Sequence, residues 1–288
     1  MKKQLFFTKK KFALFLIFIC FAAALFFGYT FYQNNVLSCT SYEIADEKLH
    51  PDLDGLRIVQ ISDFHNTHSL MLQRDIEEEI KKVSPDIIVI TGDFIDCRRT
   101  DTESALKYAE LLLEYAPVYM SAGNHEAAAY TEYPAFERKL ISHGIRVLRN
   151  QAVTFSRGSG EINIIGIDDP VFSSEDNKFL HTENAIKRIS FNKENFTLAL
   201  AHRPEVFSEY EKAQLDLVLS GHAHGGQIRL PFIGGLFTPT EGLFPKYSEG
   251  IHIKNDTTMI VSRGIGSSVF PFRINNRPEL ITITLKCG

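Results

Sequence analysis

Apolar and polar positions recur along this chain with three different spacings, and each spacing marks a different kind of element. Residues 12–31, FALFLIFICFAAALFFGYTF, form an unbroken uncharged run of 20 residues. As a helix such a run spans about 30 Å, the thickness of a membrane hydrocarbon core. Beyond residue 55 the pattern shortens. Residues 56–61, 86–91 and 118–121 are brief apolar runs rich in β-branched side chains, which predicts buried strands. Between the first two, Leu70–Val83 sets Leu72, Ile76, Ile80 and Val83 on one helical stripe, with Glu77, Glu78 and Lys81 off it. Pro85 stops that helix, and further helices are predicted over 102–115 and near 134–143. Strand and helix alternate, which predicts an α/β layered sheet.

The second half changes character. Short strands are predicted at 152–156, 162–167, 196–201, 215–220, 259–262 and 280–285, with fewer helices between them. Such a run predicts a second sheet packed on the first. No internal repeat and no convincing linker divides the body. The layout is therefore a basic stub at 1–11, an apolar anchor at 12–31, a stalk leading into a first strand at 32–53, and one folded domain at 54–288.

Composition narrows the class. A 44% apolar content excludes long-range disorder, and 18 glycines and 4 cysteines exclude collagen-like and disulfide-dense scaffolds. A pI near 6.2 argues against a nucleic-acid partner. Charge is unevenly spread: five lysines and no acid precede residue 32, so the remainder carries −9 of the chain's net −4. The five lysines sit before the apolar run, so the positive-inside rule predicts a single-pass membrane protein with a cytoplasmic N-terminus and an extracytoplasmic body. A cleaved secretory signal is the competing reading, but its apolar core would be shorter, with small residues following it. Here Ala22, Ala23 and Ala24 lie inside the run. A lipidation site at Cys39 fits poorly, because Leu precedes Ser38. Cys39 and Cys287 flank the body and could pair if its ends lie close; otherwise they and Cys97 are thiols.

The informative polar residues stand at strand ends. The first strand runs into Asp63-Phe64-His65, the second into Gly92-Asp93, and the third into Gly123-Asn124-His125-Glu126. Later strands run into His202 and into Gly221-His222-Ala223-His224. Ligands of open α/β sheets bind in the crevice beyond the carboxyl ends of the strands. Asp63/His65 and His222/His224 are each one residue apart, so in extended chain each pair projects from one face. Carboxylate with imidazole suits a divalent transition metal. Two Asp, one Asn and four His exceed what one ion needs and suit two ions sharing a carboxylate. Taken singly, each piece has a duller reading as a turn, a cap or a buried imidazole. Their joint order at successive strand ends does not.

Together these five blocks resemble the calcineurin-like metallophosphoesterase family over about residues 54–288. The stretches 221–235, 242–250 and 262–280 are similar to its bacterial membrane-associated branch, which includes hydrolases of the UDP-diacylglucosamine precursor of lipid A. The resemblance implies a four-layer α/β/β/α sandwich of two mixed sheets flanked by helices, here preceded by one N-terminal transmembrane helix. It implies that Asp63, His65 and His224 hold one ion, Asn124, His202 and His222 a second, and that Asp93 bridges them with a hydroxide that attacks phosphorus in line. His125 would act as general acid or by stabilising phosphoryl charge. The family's metals are manganese first, then iron or zinc.

Other residues keep two readings. Asp96 is support for a ligand histidine or a solvated acid; Asp168 and Asp169 face the site or make a turn; Arg203 and Arg229 contact phosphate or lie idle. Residues 228–237, with Phe244, Phe270 and Phe272, are a greasy lip touching membrane if exposed and ordinary core if buried. Combined with the anchor, they favour a lipid-linked or nucleotide-lipid phosphoester substrate. The alternatives are a general extracytoplasmic phosphatase on soluble substrates and a non-catalytic metal-dependent binding protein. The complete ligand set and His125 weigh against the last.

Overall fold

The structure, a computed structural model, describes residues 9–174, 176–238, 240–267 and 272–288. Lys2, Lys3 and Phe270, invoked above, lie outside the described residues. In chain order the first half comprises α1 (Lys9–Asn35), β1 (Ser38–Asp46), β2 (Arg57–Ile61), α2 (Leu70–Val83), β3 (Ile87–Thr91), α3 (Thr102–Leu113), β4 (Val118–Ser121), α4 (Asn124–Ala128), α5 (Tyr133–Ser142) and β5 (Arg146–Val147). The second comprises β6 (Gln151–Arg157), β7 (Gly160–Ile167), α6 (Lys178–Arg188), β8 (Phe196–Ala201), α7 (Phe207–Lys212) and β9 (Leu217–Ser220). Two small hairpins follow, β10 (Arg229–Leu230) with β11 (Gly234–Gly235), and β12 (Phe237–Thr238) with β13 (Gly242–Leu243). The chain closes with β14 (Gly250–Lys254), β15 (Thr257–Val261) and β16 (Glu279–Cys287).

Two six-stranded mixed sheets result, ordered β1-β16-β2-β3-β4-β5 and β14-β15-β9-β8-β7-β6. The strand pleat sorts the side chains. Ile87 and Val89 of β3 face the second sheet and meet Ile164, Leu198 and Leu217 there. Ile88 and Ile90 face outward and meet Ile76, Ile80 and Leu112 of α2 and α3. The outer face of the second sheet buries Ile165, Ala199 and Val218 against Ile186 and Tyr210 of α6 and α7. Both central sheets are covered on each side, which explains strands that are apolar throughout. Helix α2 starts where Ser69 Oγ accepts from the Leu72 amide and stops at Ser84 in the left-handed conformation.

One strand departs from the pattern. The order of predicted strands groups 280–285 with the second half, yet β16 lies in the first sheet, antiparallel to β2 and parallel to β1. Its Ile281, Ile283 and Leu285 join the core between the sheets, a placement set by pairing with distant strands and invisible to local periodicity. In the β1–β16 ladder Cys39 faces Leu280 and Cys287 faces Asp46, at opposite ends, so the two thiols stay apart.

Helix α1 is long and apolar enough to cross a membrane over Lys10–Asn35. It continues past residue 31 to Asn35 and leaves only Val36 and Leu37 before β1. Its last turns dock on the body. Tyr29 Oη donates to Asn275 Oδ1 at 2.7 Å, and the Asn276 amide donates to Gln33 Oε1 at 2.9 Å. Ser69 Oγ donates to Asn35 Oδ1 at 3.1 Å, and the Arg277 guanidinium lies over the Tyr32 ring.

Candidate metal centre

Strands β2, β3 and β4 of one sheet and β8 and β9 of the other end at a common crevice, where Asp63, His65, Asp93, His125, His202, His222 and His224 meet, with Asn124 next in the chain to His125. Asp63 leaves β2 in the left-handed conformation at φ 50°, as do His65, Asp93, His222 and His224 at φ 48°, 51°, 65° and 45°. Non-glycine residues seldom take this backbone, and its concentration in one crevice marks a site held by its surroundings. Close approach sets two of the glycines: a Cβ on Gly221 would collide with Ser62 and Asp63, and one on Gly123 with Asp93.

Asp63, His65 and His224 form one group, and Asp93, His202 and His222 a second, all buried. His224 Nε2 lies 3.2 Å from Asp63 Oδ1, and His202 Nε2 lies 3.2 Å from Asp93 Oδ2. His65 Nε2 is 3.8 Å from Asp93 Oδ2 and 3.9 Å from Asp63 Oδ1, so it stands between the two carboxylates. It also faces His224 Nε2 at 3.1 Å. Two ring nitrogens pointed at one another are either a shared proton or two lone pairs directed at a cation.

The surroundings fix which nitrogens face inward. His202 Nδ1 lies 2.8 Å from the Thr91 carbonyl, to which it can only donate, leaving Nε2 toward Asp93. Arg203 Nη1 approaches His222 Nε2 to 3.2 Å and holds that ring in place. Three buried polar atoms here, His202 Nε2, Asn124 Oδ1 and His65 Nδ1, have no hydrogen-bond partner. Buried orphans of this kind are costly, and the first two suit an ion completing the site. The donor set, oxygen and imidazole without thiolate, fits manganese, iron or zinc alike.

Electrostatics agrees with a crevice built for positive charge. Burial, with the nearby Asp93 charge, pushes the Asp63 carboxyl up to about 6. Burial would raise Asp93 too, but the charge on His202, helped by His65 and His125, holds it well below the usual carboxylate range. Burial pushes His65 down to about 3. His222 and His224 are held well below the ordinary imidazole value, by burial first and then by the Arg203 charge for His222 and by His65 and Arg273 for His224. A neutral imidazole is the form that ligates a metal.

His125 sits beside this centre. Its Nδ1 accepts from the Cys97 amide at 3.1 Å, so the neutral ring carries its proton on Nε2, 3.9 Å from Asp93 Oδ2. Asp96 Oδ1 lies 3.4 Å from the same Nδ1 and so neighbours His125. Asp169 is bidentate on Arg203 at 2.6 and 3.1 Å, which commits that guanidinium to holding His222. Asp168 instead accepts from Arg149 at 2.6 Å, away from the cluster. Arg229 is ion-paired with Glu249 and donates to the Gly225 carbonyl.

Two residues have a role that their place in the chain did not assign. Glu126 is fully buried and accepts from the amides of Asp93, Ile95 and Gly123 at 2.8, 3.0 and 2.7 Å, tying the β3 and β4 loops together. An acid three residues after Gly123 at a helix start was its available signal. Arg273 is fully buried, donating to the carbonyls of Gly264 and Gly266 with its Nη2 3.5 Å from His224 Nδ1. No local pattern announces it. A cavity of about 250 Å³ opens from His65, Asn66 and Asp96 to Asn34 and Asn35 in the last turn of α1.

A four-layer sandwich whose two sheets converge carboxylates, an amide and imidazoles at their strand ends defines a metal-dependent hydrolase. The chain belongs to the calcineurin-like phosphoesterase family, which residues 56–226 match, and it is a metallophosphoesterase, a hydrolase of phosphoric esters. It is 31% identical to the metallophosphoesterase YkuE of Bacillus subtilis over 90% of both chains. It is 27% identical to the UDP-2,3-diacylglucosamine pyrophosphatase LpxG of Chlamydia trachomatis over 81% of this chain and 85% of that one. Its fold matches the crystal structure of TT1561 from Thermus thermophilus at TM-score 0.51 and 12% identity, over 73% of this chain and 90% of the other.

Proposed function

We propose that the chain is a membrane-anchored dinuclear-metal phosphoesterase whose substrate is a lipid-linked or nucleotide-lipid phosphoester. Asp63, His65 and His224 hold one ion, Asn124, His202 and His222 the other, and Asp93 lies between them. Bound there, two divalent ions neutralise phosphoryl charge and lower the pKa of water. Asp93 is positioned by the His125 amide, which donates to its Oδ1 at 2.8 Å. Asp63 is oriented by Ser62 Oγ and the His222 amide. His125 offers its Nε2 proton on the leaving-group side.

The observation that carries the lipid reading is the cavity joining His65 to Asn34 and Asn35. The cavity's lining is mainly polar, so it suits a headgroup, and it lies where the apolar helix ends in Asn34 and Asn35, beside the place a lipid-linked substrate would emerge. The likeness to a pyrophosphatase acting on a diacylated nucleotide sugar supports this choice. The five lysines before α1 support an extracytoplasmic body, and labelling of exposed Cys39 by an impermeant maleimide on whole cells tests that side. For the substrate, the full-length protein loaded with manganese is compared on a diacylated nucleotide-lipid and its deacylated analogue. The reading expects faster turnover of the acylated form. Equal rates would remove the lipid argument and favour soluble phosphoesters.

A further inference from the structure

The chain after the metal centre forms a feature that phosphoester hydrolysis does not use. Hairpin β10–β11 carries Leu230, Pro231, Phe232 and Ile233 at its tip, with no charge among them. Phe232 is fully exposed and Ile233 largely so. The tip is also strained, because Phe232 holds φ 67°, a left-handed backbone seldom taken by an aromatic residue. The neighbouring hairpin β12–β13 adds exposed Phe237 and Leu243, with Phe244 just beyond it. Within residues 228–237, then, positions 230–233 and Phe237 are exposed lip, while Gly235 is buried and Ile228 and Leu236 are half-buried.

The root of the hairpin is fixed, and it is fixed to α1. Ile228 bridges Ile274, the Arg229 amide donates to the Ile274 carbonyl at 2.9 Å, and Asn275 Nδ2 donates to the Arg229 carbonyl at 3.2 Å. The same Asn275 accepts from Tyr29 Oη and returns its own amide to that oxygen at 3.1 Å. One residue therefore joins hairpin and helix. Tyr29 lies six residues before the helix end at Asn35, or about 9 Å back along the axis, inside the uncharged run. Whatever apolar medium covers that run reaches the level of the hairpin root. Tyr29 and Tyr32 are the residue type that gathers at a membrane–water boundary.

We infer that hairpin β10–β11 dips its Leu230–Ile233 tip into the same lipid leaflet that α1 leaves, giving the body a second contact with the bilayer. This rests on α1 crossing the membrane, and the occupant is the bilayer because the tip is continuous with the helix through Asn275. The chain has no tryptophan, so Phe232→Trp introduces a single reporter at a fully exposed side chain. The full-length variant is placed in phosphatidylcholine vesicles, plain or with bromines near the carbonyl end of the acyl chain. Ile233→Trp repeats the measurement at the adjacent position, and Phe21→Trp, read in vesicles brominated near the methyl end of the acyl chain, reports on the middle of α1. The inference expects bromolipid to quench F232W and I233W about twofold or more, as for a side chain sunk just below the headgroups. Quenched F21W with unquenched F232W and I233W overturns the inference and leaves the anchor standing. A blue shift in those two without quenching signals a protein contact, such as a second copy, and also overturns it. Unquenched F21W removes the membrane-spanning reading and the inference together.

Discussion

The first sheet delivers Asp63, His65, Asp93 and Asn124 to the centre, and the second delivers His202, His222 and His224. The two contributions are held in different ways. Carboxylates of the first sheet are fixed by main-chain amides: His222 N on Asp63, His125 N on Asp93, and three amides gathered by Glu126 behind them. Imidazoles of the second are fixed by guanidinium groups, Arg203 on His222 and Arg273 beside His224, and by the Thr91 carbonyl on His202. Negative charge needs donors around it, and those come free with the backbone at strand ends. His222 and His224 are held neutral, by burial first and with the Arg203 and Arg273 charges adding to it, which is the form that ligates a metal. Both carboxylates come from the first sheet, and three of the four ligand imidazoles from the second.

Breaking the oxygen side has the largest expected effect. Asp93→Asn removes the carboxylate that lies 3.8 Å from His65 of one group and 3.2 Å from His202 of the other, and turnover of a generic diester by manganese-loaded protein should fall on the order of a thousandfold, about 4 kcal/mol. Retained turnover would mean that Asp93 is not between two ions. Glu126→Ala acts behind the same side, orphaning three buried amides, and should cost about 3 kcal/mol in denaturant unfolding with the m-value unchanged. Chelation tests both sides at once. If the centre binds ions, raising manganese to about a hundredfold over its dissociation constant should stabilise the protein by about 2.7 kcal/mol, and a chelator should reverse it. The smallest effect falls on the imidazole side: Asp169→Asn loosens Arg203 and should weaken metal affinity about tenfold, read by competition with a fluorescent chelator. If Asp169→Asn matched Asp93→Asn in turnover, the division between the sheets would collapse.

Much of this was legible in the chain because the deciding forces are local. Helix α2 and strands β4 and β8 have the bounds their periodicity predicts, since a helical stripe and a doubly buried strand each write their period into sequence. The sheet that β16 joins was not legible, because its neighbours β1 and β2 are more than two hundred residues away and its composition suits either sheet. The strand-end motifs brought seven side chains into one crevice, since a strand fixes where its last residue points. Their supports were harder to see. Arg203 reads as a phosphate contact until Asp169 is found clasping it, and Arg273 stands 49 residues from the histidine it neighbours. A guanidinium's role depends on what lies within reach in space, and spacing along the chain carries no record of that.

The two-residue link between α1 and β1 has a mechanical meaning. With Val36 and Leu37 alone joining them, and bonds at Tyr29, Gln33 and Asn35 closing the seam, helix and sandwich have no slack to swivel independently. A tilt of the helix is passed on as a tilt of the whole body. The mouth beside Asn34 and Asn35 therefore keeps one height and one heading over whatever surface grips the helix, and the enzyme behaves as a fixture, not a tethered float.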